Sequence, residues 1–193
     1  MKILTLLLIT LSTTVTIAQK QEKLIVGSWF PLTVSDRGIG EGLTFDSEGK
    51  VVISMGVFLA LTYKMDGDSL IMIMQEAEEI KKKAVIHDTI MILSGRGPES
   101  KLIRVAGNAK DGIIGVWTGE YMAGAMQTLY FTASGDQYMI VEMQSQDDLY
   151  ELSGDKLTIN GRATENFNWS VNEDRLILTP TDNTEPRTYI RLK

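Results

Sequence analysis

The sequence contains no cysteine and only one histidine, His87, among its 193 residues. The lack of cysteine excludes disulfides, a cysteine nucleophile and zinc bound by thiolates. One histidine without any cysteine also argues against a zinc site of the usual kinds. The fold must therefore be held together by burial of apolar side chains and by backbone hydrogen bonds, without a covalent cross-link.

Positive charge is also scarce, since the formal net charge is −6. The only basic run is "KKK" at 81–83, and it follows the acidic stretch "EAEE" at 76–79. A net-acidic chain without a basic cluster lacks the electrostatic features of proteins that bind nucleic acids or anionic membrane surfaces. We therefore expect neither of these partners.

Residues 1–18 have the pattern of a secretory signal peptide. Lys2 supplies the positive charge, "ILTLLLITL" at 3–11 is a short apolar core, and Thr16 and Ala18 are the small residues before the expected cleavage site. The apolar core is shorter than the ~20 residues of a membrane span. We expect an exported protein without a transmembrane segment after cleavage. Export without disulfides favours a bacterial periplasmic or extracellular setting.

The rest of the chain contains an internal repeat. "GSWF" at 27–30 is similar to "GVWT" at 115–118, and four further phrases recur in the same order at a nearly constant offset. These are "LTFDSEGK" (43–50) with "LYFTASGD" (129–136), "YKMDGDSLIM" (63–72) with "YELSGDKLTI" (150–159), "HDTIMIL" (87–93) with "EDRLILT" (173–179), and "KLIRV" (101–105) with "TYIRLK" (188–193). The sequence predicts two domains, repeat 1 at 24–106 and repeat 2 at 113–193, joined by "GNAKDG" at 107–112.

Each repeat consists of short runs of aliphatic and aromatic residues separated by turn residues about ten positions apart, which is typical of antiparallel sandwiches and barrels. Gly67–Asp68 and Gly154–Asp155 predict hairpin turns. Segment 74–85, which favours a helix by composition, is predicted to be a charged hairpin because its counterpart in repeat 2 has a hairpin pattern. We expect an all-β protein of two tandem small antiparallel barrels. The alternative is one larger continuous barrel or sandwich built from both repeats.

The order of these phrases resembles the lipocalin-like domain family of exported Bacteroidetes-type proteins, here as a tandem duplication. The matching residues are Gly27, Trp29, Phe45, Gly49, Tyr63, Gly67, Asp68, Leu70 and Arg104 in repeat 1, and Gly115, Trp117, Phe131, Gly135, Tyr150, Gly154, Asp155, Leu157 and Arg191 in repeat 2. The resemblance implies that Trp29 packs against Arg104, and Trp117 against Arg191, in a cation–π contact that closes one end of each barrel. Each repeat is about half as long as a true lipocalin, which argues against a roomy ligand cavity.

No catalytic, metal or cofactor site is predicted. His87 precedes Asp88, but the sequence has no nucleophile motif, and a hairpin turn explains the pair better. The matched phrases make Glu173 the counterpart of His87 in repeat 2. Asp66 and Asp68 are calcium candidates, but the rest of a calcium loop is missing and a hairpin turn accounts for them. We therefore expect a protein that is not an enzyme.

Two non-enzymatic functions are compatible with the sequence. A binding protein for a small apolar ligand is indicated by the resemblance, by ten methionines and by "GIGEG" at 38–42, which is interpreted as a lid or as an ordinary loop. Exposed Tyr121, Tyr130 or Trp169 would make it a sugar-binding variant. The alternative is an envelope protein with filled barrels that interacts with other proteins. The ligand-binding residues are left open.

Overall fold

In the computed structural model, the described residues are 24–74, 78–95, 97–122, 124–182 and 184–192. The predicted signal peptide lies outside them. The strands are β1 (Gly27–Pro31), β2 (Ile39–Phe45), β3 (Lys50–Asp66), β4 (Ser69–Ile73), β5 (Glu79–His87), β6 (Ile90–Gly95), β7 (Ser100–Ala106), β8 (Gly115–Glu120), β9 (Met126–Phe131), β10 (Asp136–Ser153), β11 (Lys156–Asn160), β12 (Thr164–Asn172), β13 (Arg175–Pro180) and β14 (Arg187–Leu192). A short 3-10 helix, Ala109–Asp111, lies in the predicted linker. Within these ranges, no helix has the length and apolar character needed to cross a bilayer.

The 14 strands form one antiparallel sheet whose hydrogen-bonding order closes in a ring. Strands that are neighbours in the chain are neighbours in the sheet, β1 also pairs with β14, and the two longest strands, β3 and β10, pair with each other. The prediction of an all-β antiparallel fold is therefore confirmed. The strand order does not confirm a division into two tandem barrels.

The chain divides into two compact units whose bounds differ from those of the sequence repeats. Unit 1 contains residues 24–33, Glu41–Ser54 and 145–192, and unit 2 contains Val34–Gly40 and Met55–Gln144. Unit 1 thus takes β1, most of β2 and the start of β3 from repeat 1, and the end of β10 with β11–β14 from repeat 2. Unit 2 takes the first two residues of β2 and the remainder of β3 with β4–β7 from repeat 1, and β8, β9 and the start of β10 from repeat 2. Each compact unit is therefore assembled from both repeats.

Unit 1 has an interior rich in aromatic side chains. Alternation of apolar and polar residues along its strands directs one face of each strand into this interior. The buried cluster consists of Ile25, Trp29, Leu43, Phe45, Val51, Tyr150, Leu157, Ile159, Phe167, Trp169, Leu176, Leu178 and Tyr189. Phe45 and Tyr150 pack edge to face, with ring centroids 5.0 Å apart.

Unit 2 has a separate interior with fewer aromatic side chains. Its buried cluster consists of Leu70, Met72, Ala84, Met91, Leu93, Leu102, Ile113, Trp117, Leu129 and Phe131, and Tyr63, Ile80, Ile86 and Met139 pack against it. Tyr63 and Phe131 repeat the edge-to-face contact, again at 5.0 Å. The two interiors therefore share a plan but differ in the side chains that fill them.

The predicted hairpin turns are confirmed. Gly67 and Gly154 have φ values of 59° and 62°, in the left-handed region that glycine adopts without strain. Of the predicted charged hairpin, residues 75–77 lie outside the described residues, and Glu79 onward forms strand β5, paired with β4. The predicted loop at 38–42 is wrong for residues 39–42. These belong to β2, and only Gly38 has the positive φ of a turn, 73°.

Candidate functional site

One arginine covers one tryptophan in unit 1. The Arg191 guanidinium lies 4.1 Å from the centre of the Trp29 ring. It donates hydrogen bonds to the carbonyl oxygens of Val26, at 2.6 Å, and Leu24. The Trp29 indole N–H donates to the carbonyl oxygen of Ile25 at 2.6 Å. The arginine thus ties the residues before β1 to the buried ring.

Unit 2 has the same arrangement. The Arg104 guanidinium lies 4.0 Å from the Trp117 ring and donates to the carbonyl oxygens of Ile114, at 2.7 Å, and Gly112. The Trp117 indole N–H donates to the carbonyl oxygen of Ile113 at 2.8 Å. The cation–π contacts, the carbonyl acceptors and the buried rings correspond one to one between the units.

The predicted pairing of these residues is wrong, because the arginines have exchanged partners. Trp29 contacts Arg191 rather than Arg104, and Trp117 contacts Arg104 rather than Arg191. The reason is strand pairing: β1 pairs with β14, which places Arg191 opposite Trp29, and β7 pairs with β8, which places Arg104 opposite Trp117. Each contact therefore joins residues from different repeats.

The Gly-x-Trp motif has a specific cause in this arrangement. Gly27 has a φ of 128°, which L side chains rarely adopt. A Cβ atom at Gly27 would also lie 2.9 Å from Nη1 of Arg191. Gly115 has a φ of 129°, and a Cβ atom there would lie 3.1 Å from Nη1 of Arg104. Glycine is favoured two residues before each tryptophan by this backbone conformation, and the guanidinium lies close to that position. At Gly115 the added Cβ atom would lie still closer to the carbonyl oxygen of Ala106.

Comparison of the two interiors identifies the candidate site, starting at Ala84 in unit 2. The backbone N–H of Ala84 donates to the carbonyl oxygen of Asp68 at 2.7 Å, and the backbone N–H of Trp169 donates to the carbonyl oxygen of Asp155 at 2.8 Å. Asp68 and Asp155 occupy the same position in equivalent hairpin turns, so Ala84 and Trp169 are equivalent. Both are buried, at 4% and 8% exposure. Unit 2 therefore has a methyl group where unit 1 has an indole.

Lys82 occupies the place of another interior aromatic residue. Lys82 pairs with Leu70 across β4 and β5, and Phe167 pairs with Leu157 across β11 and β12. Both leucines are fully buried, and directly opposed residues share a face of the sheet. The half-buried Lys82 therefore starts from the interior face. Its Nζ reaches Gly97 in the β6–β7 connection, where an added Cβ atom would lie 3.9 Å away.

A third aromatic side chain is replaced in β7. Leu102 pairs with Met91, and Tyr189 pairs with Leu176. Leu102 and Tyr189 also lie two residues before Arg104 and Arg191, which makes them equivalent. Burial raises the pKa of the Tyr189 hydroxyl to about 12. Leucine at this position introduces neither the ring nor the hydroxyl.

Methionine replaces branched aliphatic residues at three interior positions of unit 2. Tyr63 pairs with Met72 in unit 2, and its equivalent Tyr150 pairs with Ile159 in unit 1. The other equivalent pairs are Met91 with Leu176 and Met139 with Ile53. Methionine has an unbranched, polarizable side chain that adapts to irregular apolar surfaces. The interior of unit 2 is thus lined by adaptable side chains.

Gln137 is the most unusual residue of this interior. It is 0% exposed, and neither Nε2 nor Oε1 has a hydrogen-bond partner among the described residues. It pairs with Phe131, whose ring belongs to the buried cluster of unit 2. Its equivalent in unit 1 is Val51. In unit 1 the carbonyl oxygen of Lys50 accepts from the N–H of Asp46, and in unit 2 the carbonyl oxygen of Asp136 accepts from the N–H of Thr132. Val51 and Gln137 are the residues that follow these two acceptors. A buried polar group without a partner calls for an explanation.

The other sequence candidates do not assemble into a site. His87 is exposed at the end of β5, and the turn that follows contains Asp88 with a φ of 53°. Glu173 has a φ of 54° at the same place in the next hairpin, so it corresponds to Asp88. The predicted match of His87 with Glu173 is therefore wrong by one residue, and the counterpart of His87 is Asn172.

The residues considered for calcium binding and for sugar binding have the following surroundings in the structure. Asp68 forms an exposed ion pair with Lys83 at 3.3 Å. Among the described residues, no three His, Asp or Glu side chains are placed to hold a metal ion. Trp169 is buried in unit 1, and its indole N–H donates to the carbonyl oxygen of Gly154 at 3.2 Å, so the prediction that it is exposed is wrong. Tyr121 is 37% exposed and Tyr130 is half-buried.

No family model matches the sequence, and neither a curated protein nor a solved structure matches it. The resemblance to the lipocalin-like family stays a prediction that rests on the residues quoted above.

Proposed function

We propose that the protein is an exported, non-enzymatic binding protein that accommodates a small apolar ligand in the interior of unit 2. One observation carries the proposal: three interior aromatic side chains of unit 1 are replaced in unit 2 by smaller or flexible ones. The pairs are Trp169 and Ala84, Phe167 and Lys82, and Tyr189 and Leu102.

Under this proposal, each compact unit is a small barrel. Unit 1 contains eight strands or strand segments, and unit 2 contains nine, of which one is only the first two residues of β2. In unit 1 the N–H of Tyr150 donates to Gly49 at 2.8 Å, and in unit 2 the N–H of Tyr63 donates to Gly135 at 2.7 Å. These bonds link the segments of β3 and β10 within each unit. Closure would satisfy the edge strands of each unit separately.

The side chains of unit 2 suit an apolar ligand that also carries a hydrogen-bonding atom. Met72, Met91 and Met139 offer an apolar lining that can rearrange around a guest. The Gln137 amide offers a donor and an acceptor in the same interior. A ligand atom that bonds this amide would remove a desolvation penalty of about 1–3 kcal/mol.

Unit 1 would have a structural role. Its aromatic side chains occupy the positions that are reduced in unit 2, and its Val51 leaves no buried amide at the position of Gln137. Close-packed interiors of this kind leave few voids larger than a water molecule. We therefore place the binding function in unit 2 alone.

Native mass spectrometry tests the proposal on residues 19–193, exported to a bacterial periplasm and purified without detergent. We expect an extra mass that is lost on denaturation. The variant Ala84→Trp, which restores the side chain of unit 1, should lack this mass. Ile103→Trp is the matched control, since Ile103 is 53% exposed on the outer face, and it should retain the ligand. An apo mass in the wild type, together with an unchanged melting temperature across fatty acids and sterols, would refute the proposal.

A second candidate function is supported by the outer face of unit 2. Ile103 and Val105 in β7 are 53% and 58% exposed. Exposed apolar side chains on adjacent positions of one face can form a contact surface for another protein. Affinity capture from envelope extracts would recover a partner with the wild type and lose it with Ile103→Lys. Recovery of the same proteins with both chains would count against this function.

A further inference from the structure

We propose that the ligand of unit 2 is an amphiphile with an anionic head group, and that the Lys82 ammonium binds this group. The inference rests on the proposed binding function and specifies the class of ligand. It follows from the way in which charge is arranged on β5 and from the corresponding region of unit 1.

Lys82 differs from both of its neighbours in the basic run. Lys81 forms an ion pair with Glu79 at 3.4 Å, and Lys83 forms one with Asp68 at 3.3 Å. Because successive residues of a strand point to opposite faces, these two lysines lie on the outer face and Lys82 on the inner one. Within the described ranges, Lys82 has no carboxylate within ion-pair distance. Among the described residues, Lys82 is thus the lysine of this run that has no counter-ion.

Unit 1 shows how the same region is neutralised when the interior is filled. Arg187 lies 5.5 Å from the Phe167 ring, and Phe167 is the equivalent of Lys82. The guanidinium donates to Glu41 at 3.1 Å and to Glu165 at 3.4 Å. The positive charge of unit 1 is therefore matched by two carboxylates from its own strands.

Unit 2 retains a positive charge in this region but lacks both carboxylates. Register places Gln127 at the position of Glu41. Glu41 lies two residues before Leu43, which pairs with Trp29, and Gln127 lies two residues before Leu129, which pairs with Trp117. It places Ile80 at the position of Glu165, since each lies opposite the equivalent residues Met72 and Ile159. A half-buried ammonium that has no carboxylate partner among the described residues is suited to an anion from solution.

The ligand class follows from this charge together with the lining. The Lys82 ammonium lies near Gly97 in the β6–β7 connection, while Ala84 and the methionines belong to the apolar interior of the same unit. A carboxylate at Lys82 with a hydrocarbon body on the methionines would use both features. One lysine matches one singly charged head group.

Isothermal titration with dodecanoate and dodecan-1-ol, both below their aggregation limits, tests the inference. The two probes share a chain length and differ in head group. We expect the wild type to bind dodecanoate roughly tenfold to a hundredfold more tightly than the alcohol, as for a charge-assisted hydrogen bond. Lys82→Met keeps the apolar stem and should bind both probes alike. Lys83→Met removes an outer-face lysine and should keep the preference.

The outcomes separate this inference from the proposed function. Equal binding of both probes by the wild type would overturn the head-group assignment and leave the binding function in place. A preference that survives in Lys82→Met, or disappears in Lys83→Met, would also overturn the assignment. If neither probe binds, the binding function itself fails for this class of molecule, and the inference fails with it. Lys82→Gln, which keeps a polar side chain, serves as the second variant if Lys82→Met does not fold by circular dichroism.

Discussion

Replacing Gln137 by leucine is expected to stabilise the ligand-free protein. The side chain is 0% exposed, and both of its polar atoms lack partners among the described residues. An amide buried without hydrogen bonds costs about 1–3 kcal/mol. Leucine has a similar size, and volume-conserving changes in a core usually cost less than about 1.5 kcal/mol. The net expectation is a gain of about 1–2 kcal/mol in the free energy of unfolding.

Urea unfolding of ligand-free protein, followed by circular dichroism, measures this gain. For a chain of this length, each 1 kcal/mol also corresponds to a rise of about 2–4 °C in melting temperature. Val51→Gln is the reciprocal variant in unit 1. It places an amide in a filled interior and should lower stability by about 2–5 kcal/mol, because desolvation and overpacking add.

The presence of ligand should reverse the benefit of the leucine. If the ligand bonds the Gln137 amide, Gln137→Leu should show a smaller ligand-induced rise in melting temperature than the wild type. A ligand-free Gln137→Leu protein that is less stable than the wild type would refute the reasoning. That result would mean that the amide already has a partner, such as an internal water held by several polar groups.

Three further predictions concern the fold. Residues 55–144 contain eight of the nine strand segments of unit 2, all except Ile39–Gly40 of β2, and should fold alone. Residues 113–193 supply strands to both units and should not fold alone, as dispersion of amide signals in NMR spectra will show. Burial raises the pKa of Tyr189 to about 12 from 10.0, so the stability that the neutral hydroxyl contributes is fully present below pH 10 and is lost as the pH rises toward 12, by up to about 3 kcal/mol. Tyr189→Phe should reduce this loss of stability in urea titrations, and an unchanged loss would contradict the assignment. Gly56→Ala should destabilise the protein more than Gly154→Ala, because a Cβ atom at Gly56 would lie 2.2 Å from the carbonyl oxygen of Val141. Gly154 has open space around it, so alanine there is disfavoured only by the φ of 62°, at a cost of about 1–2 kcal/mol. Similar melting temperatures for the two variants would contradict the close backbone approach at Gly56.

The β-strand content and the repeat were predictable because both depend on local patterns. Alternation of apolar residues and the glycine turns at Gly67 and Gly154 depend on a few neighbouring residues. The exchange of partners between the repeats was not predicted, since short strands of one repeat would pair equally well within it. The structure instead forms a continuous strand from Asp136 to Ser153. Residues 142–149, "EMQSQDDL", contain no glycine, proline or asparagine, but Ser145, Asp147 and Asp148 are also common in turns, so the sequence does not distinguish a turn from a continuous strand there.

The candidate site was missed because of a one-residue error in matching the repeats. Aligning His87 with Glu173 puts Ala84 opposite Ser170, which hides the replacement of an indole by a methyl group. The positive φ values of Asp88 and Glu173 fix the correct match and bring Ala84 opposite Trp169. A positive φ is uncommon for every amino acid other than glycine, so the residue types at Asp88 and Glu173 do not by themselves indicate where the positive φ lies. The structure was needed to establish the register.

The difference between the two interiors argues against a purely structural role for unit 2. Truncating a buried phenylalanine or tryptophan to alanine typically removes about 3–5 kcal/mol of stability, while the whole stability of a protein is about 5–15 kcal/mol. A unit that served only to pack would gain from aromatic side chains at the positions of Ala84 and Lys82, as unit 1 does with Trp169 and Phe167. Unit 2 has instead a small side chain, an inward-facing cation and the buried amide of Gln137 on the same framework. Proteins depart from consistent packing mainly at functional sites, so this combination supports the proposal that a guest fills the space in unit 2 and meets its polar groups.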